Sequence, residues 1–392
     1  VTSPPRVAFF ADSFHDVNGA ARTCREFEAF ARRRNYPFLS VHAGPQQRLE
    51  VQGEMRVLEM RRSKLSIALD ADLRFDPLLL LMRQEVVRQV RDFKPDIVHL
   101  TSPGDFGILG AIAADALQVP LALAWHTNIH EFAARRVHNA LRFLPSRLSD
   151  RVSWSVEKLV LNFSLWFYGR GSVLFAPNQE LIDLLHDGTA VPTVLMERGI
   201  DTHIFSPQHR TRTDDDFVMG FVGRLQPEKN VRLLTELEES LLNAGHAHFR
   251  FLLVGRGDER PWLEANLKHA EFTGVLSGKA LSEAYANMDL FVFPSQTDTF
   301  GNVIQEAAAS GVPSVVTNSG GPKFLIQHGV DGFVARNNEE FCSYVATVLA
   351  DRALQKRFSI AARLKSLHNS WDRVFERVYE GYEQVLRRAT VA

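Results

Sequence analysis

A chain of 392 residues exceeds one ordinary hydrophobic core and suits two domains of about 100 to 200 residues each. Its composition, 45% hydrophobic and 23% charged with a net charge of −1, is that of a water-soluble globular protein and argues against a nucleic-acid binder. Its two cysteines, Cys24 and Cys342, lie in different expected domains and offer neither a disulfide framework nor a zinc-ligand spacing, which fits a reducing compartment.

At the N-terminus, "VTSPPRVAFFADSF" holds too short an apolar run for a secretory signal. The "LLLLM" run from Leu78 to Met82 falls far short of the roughly 18 residues needed to span a bilayer. A cytoplasmic protein is expected, with contact at the inner face of the membrane left open. Apolar or β-branched runs then begin at Arg6 ("RVAFFA"), Phe38 ("FLSVHA"), Asp96 ("DIVHL"), Pro120 ("PLALAWH") and Ser172 ("SVLFAPN"), separated by segments mostly long enough for crossover helices. Continuous hydrophobicity within each run indicates burial on both faces, so the expected fold is α/β with a doubly wound parallel sheet.

The rhythm halts over "RGIDTHIFSPQHRTRTDDDF", Arg198 to Phe217, a polar stretch that reads as a linker. Strand patterns resume at Phe217 ("FVMGFVG"), Phe249 ("FRFLLVG"), Asp289 ("DLFVFPS") and Pro313 ("PSVVTN"), with helices expected near Asn230–Asn243, Leu281–Met288 and Asn302–Ser310. The final stretch spaces Trp371, Val374, Val378 and Tyr382 as an amphipathic helix. Two Rossmann-like domains facing a cleft are expected: residues 1–200, residues 201–368, and a closing helix over 369–392.

The chemistry concentrates in "TDTFGNVIQEAAASG". A Phe300-Gly301 turn feeding a helix presents the amides of Gly301, Asn302 and Val303 at a positive helix end, a ready phosphate site. Asp298 precedes that helix start and Glu306 follows it, so the two carboxylates flank a ligand held there and can accept from sugar or ribose hydroxyls. The competing reading makes Thr299 an N-cap and Glu306 a solvated residue, but the small residues around Glu306 disfavour an idle acid. "GFVGRLQPEKN" puts Arg224 and Lys229 just past a buried strand, where both cations can meet a diphosphate or simply form a solvated basic loop. Gly19, in "DSFHDVNGAARTCREF", allows close backbone approach at the next helix start. "AWHTNIHEF" places His126 at a strand end; with His130 it lacks a clear third metal ligand and the HExxH order. "VGRGDER" has Arg260 where the third glycine of a dinucleotide fingerprint belongs, and the aspartates 214 to 216 read as a solvated charge run.

With these features in this order, the chain resembles retaining glycosyltransferases of the GT-B fold, family 4. The likeness runs from the Gly19 loop to the Trp371 helix. Its most specific part is the E-x7-E motif with "FG" inside, met here by Asp298, Phe300, Gly301 and Glu306; "GRLQPEKN", "GIDTHIFSP" and "NSGGPKFLIQHGVDGFV" are similar to further family segments. The resemblance implies that Arg224 and Lys229 hold the donor diphosphate, that Glu306 bonds the ribose, and that Asp298 with the backbone of Phe300, Gly301 and Asn302 holds the sugar. It also implies that His126 faces the sugar's reacting carbon, that Gly19 lets the N-terminal loop close over the phosphates, and that "FTGVLSG", with Val275, contacts the base. No cofactor or metal is implied beyond the nucleoside-diphosphate sugar, GDP-mannose or a UDP-sugar. The last helix is implied to cross back to the N-terminal domain. The sequence departs from the family in one place: its first acid is Asp298, one methylene shorter than the usual glutamate.

Front-face retention, with the departing phosphate taking the acceptor proton, is the mechanism expected of such a site. A nucleotide-sugar epimerase and a catalytically silent sugar-nucleotide sensor are the rivals. The acceptor is a hydroxyl, and a lipid or lipid-linked glycan is suggested by basic segments at Arg25 and Arg61 and by the apolar "WSVEKLVLNFSLWFY" from Trp154, which also reads as a buried helix.

Overall fold

The computed structural model describes residues 3–16, 18–70, 73–126, 129–141, 146–298 and 300–391. By its internal contacts the chain divides into two compact units, Val1–Arg198 with Val374–Ala392, and Gly199–Arg373.

The first unit carries strands β1 (Val7–Ala11), β2 (Phe38–Gly44), β3 (Arg48–Gln52), β4 (Met55–Arg61), a separate hairpin of β5 (Ile67–Asp70) and β6 (Leu73–Phe75), and β7 (Ile97–Leu100), β8 (Leu121–Ala124), β9 (Val173–Ala176) and β10 (Thr193–Leu195). Its helices are α1 (Gly19–Arg34), α2 (Arg83–Phe93), α3 (Asp105–Leu117), α4 (Ile129–Ala140), α5 (Ser146–Tyr168) and α6 (Gln179–Thr189). The main sheet runs β10-β9-β8-β7-β1-β2-β4-β3, parallel throughout except where β3 pairs antiparallel with β4 at the edge. All residues of β1, β7, β8 and β9 are buried, as their continuous apolar runs require. The sequence reading misses β3, β4 and β10. The first is wholly exposed and the second interleaves arginine and glutamate, so neither has a buried-strand signature, and the third is three residues long.

The second unit carries β11 (Phe217–Val222), β12 (Phe249–Val254), β13 (Ala270–Gly274), β14 (Leu290–Phe293), β15 (Ser314–Thr317) and β16 (Gly332–Ala335), all parallel in the order β13-β12-β11-β14-β15-β16. Helices α7 (Leu233–Asn243), α8 (Arg260–Asn266), α9 (Gly278–Ala286), α10 (Asn302–Ala309), α11 (Asn338–Ala350) and α12 (Arg352–Leu367) connect and cover it. Both sheets are therefore wound outward twice from their first strand. Each has a switch point where strand order reverses, between β1 and β7 in one and between β11 and β14 in the other. Ligands of open α/β sheets bind outside the carboxyl ends of the strands at such points.

The stretch expected to be a linker is instead strapped to the second unit. Arg210 donates to the carbonyls of Ala286 and Met288 at 3.1 and 3.2 Å and pairs with Asp289 at 3.0 Å, while Arg212 joins Asp214 at 2.6 Å and the same Asp289. Charge alone looked like solvation; Ala286, Met288 and Asp289 lie 76 to 79 positions away, beyond any local pattern. Asp214 and Asp216 also face Arg250 at 3.8 Å.

The closing helix α13 (Trp371–Val391) buries Trp371, Val374, Val378 and Tyr382 as spaced. From Val374 onward it belongs to the first unit. There Phe375 stacks on Phe27 with ring centres 4.5 Å apart, and the Tyr382 hydroxyl lies 2.5 Å from Nδ1 of His99.

Candidate active site

At the switch point of the second sheet, the loop after β11 and the loop after β14 meet. The β11 loop ends in a short 3-10 turn, Pro227–Lys229, closed by Asn230 in the left-handed region at φ 52°. That turn carries Lys229 toward Asp298: its ammonium lies 2.7 and 2.8 Å from the two carboxylate oxygens. Only 12% of the Lys229 side chain and 22% of the Asp298 side chain is exposed. The Ser295 hydroxyl donates to the same carboxylate at 2.5 Å, and the amide of Gly321 donates to the Asp298 carbonyl at 2.7 Å.

Two glycines make this packing possible. Gly320 stands at φ 67°, and a Cβ there would lie 2.6 Å from the Asp298 carbonyl oxygen. Gly301 stands at φ 97°, with Pro322 and Ile304 within 3.3 Å of any added Cβ. A side chain would be strained at either position. Gly301 is also the N-cap of α10, and no side chain among the described residues caps that helix. Asn302 and Val303 open the helix, with Phe300 buried beneath it. One turn in, the buried Glu306 accepts a hydrogen bond at 3.0 Å from the hydroxyl of Tyr285 on α9. Thr299, the N-cap of the competing reading, lies outside the described residues.

The remaining expected donor-side residues sit on the same carboxyl edge. Arg224 follows β11, is 69% exposed and pairs with Glu228 at 3.1 Å; Val275 follows β13 and is exposed. The glycines of "VGRGDER" serve packing: a Cβ on Gly255 would lie 1.9 Å from the Gly223 carbonyl oxygen, and one on Gly257 2.1 Å from that of Leu225. They let the loops after β11 and β12 touch backbone to backbone.

In the first unit, Gly19 is the first residue of α1, behind Asn18, whose side chain accepts from the Ala21 amide at 2.8 Å. His126 follows β8. Burial, and after it the Arg198 guanidinium, push its pKa down to about 3, so the ring is neutral at physiological pH. His130 is buried against Trp125, and among the described residues no group of three metal-ligating side chains is assembled.

Sequence reasoning assigned Lys229 and Asp298 to separate groups and did not foresee their ion pair. It also missed Tyr285, Ser295 and Gly320. The doubled glycine of "NSGG" is a signal for close backbone approach, whereas nothing local marks Tyr285 as the partner of a glutamate 21 positions on.

Two doubly wound α/β sheets, each with a switch point, form the architecture of the GT-B class. The description "Glycosyltransferase Family 4" matches residues 17–204 and "Glycosyl transferases group 1" matches residues 216–351. A GDP-mannose-dependent alpha-mannosyltransferase of Mycolicibacterium smegmatis is 32% identical over 316 residues, covering 79% of each chain. One of the same description from Mycobacterium tuberculosis is 33% identical over 319 residues, 78% of this chain and 77% of that one. Sucrose-phosphate synthase from Thermosynechococcus elongatus shares the fold, with a TM-score of 0.71 at 16% identity over 99% of this chain and 100% of that one. The chain belongs to glycosyltransferase family 4 and is a glycosyltransferase.

Proposed function

We propose that the protein transfers mannose from GDP-mannose, with retention at the anomeric carbon, to a hydroxyl acceptor. The observation that carries this reading is the Lys229–Asp298 ion pair, set at the sheet's switch point beside the start of α10. A diphosphate arriving there draws the Lys229 ammonium to itself, and the Asp298 oxygens then become free to accept from sugar hydroxyls. Glu306, one turn further in, accepts from the ribose, and Val275 lies beside the base. The mannose and guanine assignments are supported by the names of the two mycobacterial relatives.

Cleavage of the glycosyl–phosphate bond puts negative charge on the departing diphosphate. Arg224, Lys229 and the amides at the start of α10 receive it, which gives the reaction its stabilisation without a bound metal. The phosphate oxygen that leaves carbon takes the acceptor's proton as the acceptor oxygen bonds to the same face of the sugar. His126, held neutral, positions the sugar near its reacting carbon and carries no charge of its own. We assign the acceptor to a lipid or lipid-linked glycan at the cytoplasmic face of the membrane.

A donor panel scored by hydrolysis and thermal shift tests the donor, in buffer containing a chelator. GDP-mannose is expected to turn over and to raise the melting temperature, and a preference for UDP-sugars overturns the assignment. Mass spectrometry of products formed with a cell lipid extract identifies the acceptor; proton NMR of the product must show an α-linkage, a β-linkage being incompatible with retention.

A further inference from the structure

The main sheet of the first unit ends in β3, which lies antiparallel to β4 and has all five residues exposed. The two strands are joined by a two-residue turn, Gly53 and Glu54, with Gly53 at φ 60°, so Gln52 and Met55 close the hairpin and exchange hydrogen bonds. The Phe38 amide donates to the Glu54 carbonyl at 3.1 Å, which turns the even-numbered backbone groups of β4 toward β2. The odd-numbered residues of β4 therefore face β3, and their register partners Arg48, Glu50 and Gln52 complete that ladder. The amides and carbonyls of Leu49 and Val51 point the other way, off the edge of the sheet. Such an edge is a template for another strand, and proteins that keep one unpaired blunt it with lysine, proline or a bulge. The sequence of β3, "RLEVQ", has neither residue, and its register with β4 runs without a shift. Leu49 and Val51 are 41% and 58% exposed, on the face that carries the buried Leu58 opposite Leu49, so the apolar side of the sheet runs out to its rim.

The charges of β3 identify the strand that fits beside it. Arg48 and Glu50 carry opposite signs two positions apart, on the face away from Leu49 and Val51. The Arg48 Nε donates to Glu59 of β4 at 3.1 Å, and its guanidinium stands 3.9 Å from Glu50, with the side chains of Arg48 and Glu50 both more than half exposed. A second copy of β3, running antiparallel and centred on Leu49, sets Arg48 opposite the partner's Glu50 and Glu50 opposite the partner's Arg48. These fall at the closely spaced positions of the ladder, where opposite charges attract most, and two-fold symmetry makes the contact twice. The same register lets the two Leu49 residues exchange their outward hydrogen bonds and lays Val51 beside the partner's Gln47. Centring on Glu50 instead would set two glutamates face to face.

We propose that the protein self-associates as a two-fold dimer through edge-to-edge pairing of β3, centred on Leu49, which joins the eight-stranded sheets of two copies into one continuous sheet. Five residues a side is well below the roughly 20–30 of a standard interface, so the dimer is reversible, with a dissociation constant of about 10–100 µM. The pairing is independent of the donor assignment and needs no sugar nucleotide.

The test is sedimentation equilibrium of the full chain, without donor, across about 1–300 µM, a range that brackets that constant. The mass should move from monomer toward dimer, and hydrogen exchange at the Leu49 and Val51 amides should slow from the bottom of the range to the top. E50Q, which removes the attraction, should weaken the dimer about threefold, and E50R, which opposes arginine to arginine at both contacts, about tenfold or more. V51P removes an outward amide while leaving the ladder with β4 intact and should weaken it about tenfold. All three should keep the melting temperature of the dilute wild type and its donor hydrolysis, because β3 is exposed and lies outside the donor site. Should V51P melt lower, the order of the two Glu50 variants decides alone. A chain that stays monomeric at the top of the range overturns the proposal, as does a dimer that E50R leaves unchanged, which would place the contact elsewhere. So does slow exchange at Leu49 and Val51 already at the lowest concentration, which would mean that the edge is covered within one chain.

Discussion

The two sheets share one winding, yet their switch points are furnished in opposite ways. In the first unit the loops after β1 and β7 close on themselves through carboxylates. Asp12 accepts from the Ser102 hydroxyl at 2.6 Å and the Phe106 amide at 2.9 Å, and the fully buried Asp105 accepts from Arg62 at 2.5 and 3.1 Å and from the Asp76 amide at 2.9 Å. Burial, then the neighbouring Asp105 charge, holds Asp12 above the usual carboxylate range. In the second unit the edge presents an exposed Arg224, a lysine held by a partly exposed aspartate, and the start of α10. One switch point spends its polar groups on holding loops together, and the other keeps them partly exposed to solvent. The same topology thus yields a buttress or an open polar edge, according to whether its charges are mutually buried.

The sharpest way to break this contrast is to remove the cation from the buttress. Arg62→Met leaves Asp105 and Asp12 buried without a counter-charge and should cost about 3–5 kcal/mol of stability in urea titrations. The loss should grow with pH. Both carboxyls have folded pKa values raised above their ordinary 3.8, so the wild type already loses stability as pH rises through the raised values, and losing Arg62 strengthens that trend. At the open edge, Lys229→Ala should instead lower kcat/KM by about 10²–10³-fold, with a nearly unchanged urea midpoint. Full turnover by that variant would reduce the second switch point to another buttress.

Gly320→Ala probes the geometry beneath Asp298. Strain at φ 67° and the 2.6 Å approach to the Asp298 carbonyl should cost about 1–3 kcal/mol and raise the KM for donor. Tyr285→Phe removes one bond from Glu306 and should cost about 1 kcal/mol, read in a thermal melt with and without donor. A separate, pH-dependent effect concerns His126, whose folded pKa is lowered to about 3. Below pH 6.5 the unfolded chain binds the extra proton first, so stability falls as pH drops from 6.5 toward 3. In His126→Gln the urea midpoint should fall less steeply over that window.

The contrast was partly legible beforehand. "VAFFA", "IVHL", "LALA" and "VLFA" read as two-sided strands because burial on both faces leaves a continuous apolar run, and the spacing of Trp371, Val374, Val378 and Tyr382 gave α13 its inner face. Arg224, Lys229, Asp298, Gly301 and Glu306 stood out because phosphate and hydroxyl recognition draws on few residue types next to strand ends. The strap of Arg210 and Arg212 on Asp289 and the glutamate-to-tyrosine contact on α10 and α9 did not.

By itself, then, the sequence determined which segments are strands buried on both sides, where the winding restarts, and which loops carry charged and glycine-rich segments at the strand ends. Each of these leaves a local imprint, in hydrophobic period or in residues adjacent along the chain. Only the tertiary structure decided which charges meet. Lys229 and Asp298 are 69 positions apart, as are Arg62 and Asp105 by 43. Whether such a pair becomes a buried buttress or an accessible clamp depends on how far the surrounding loops exclude water, a property of packing that no local pattern records.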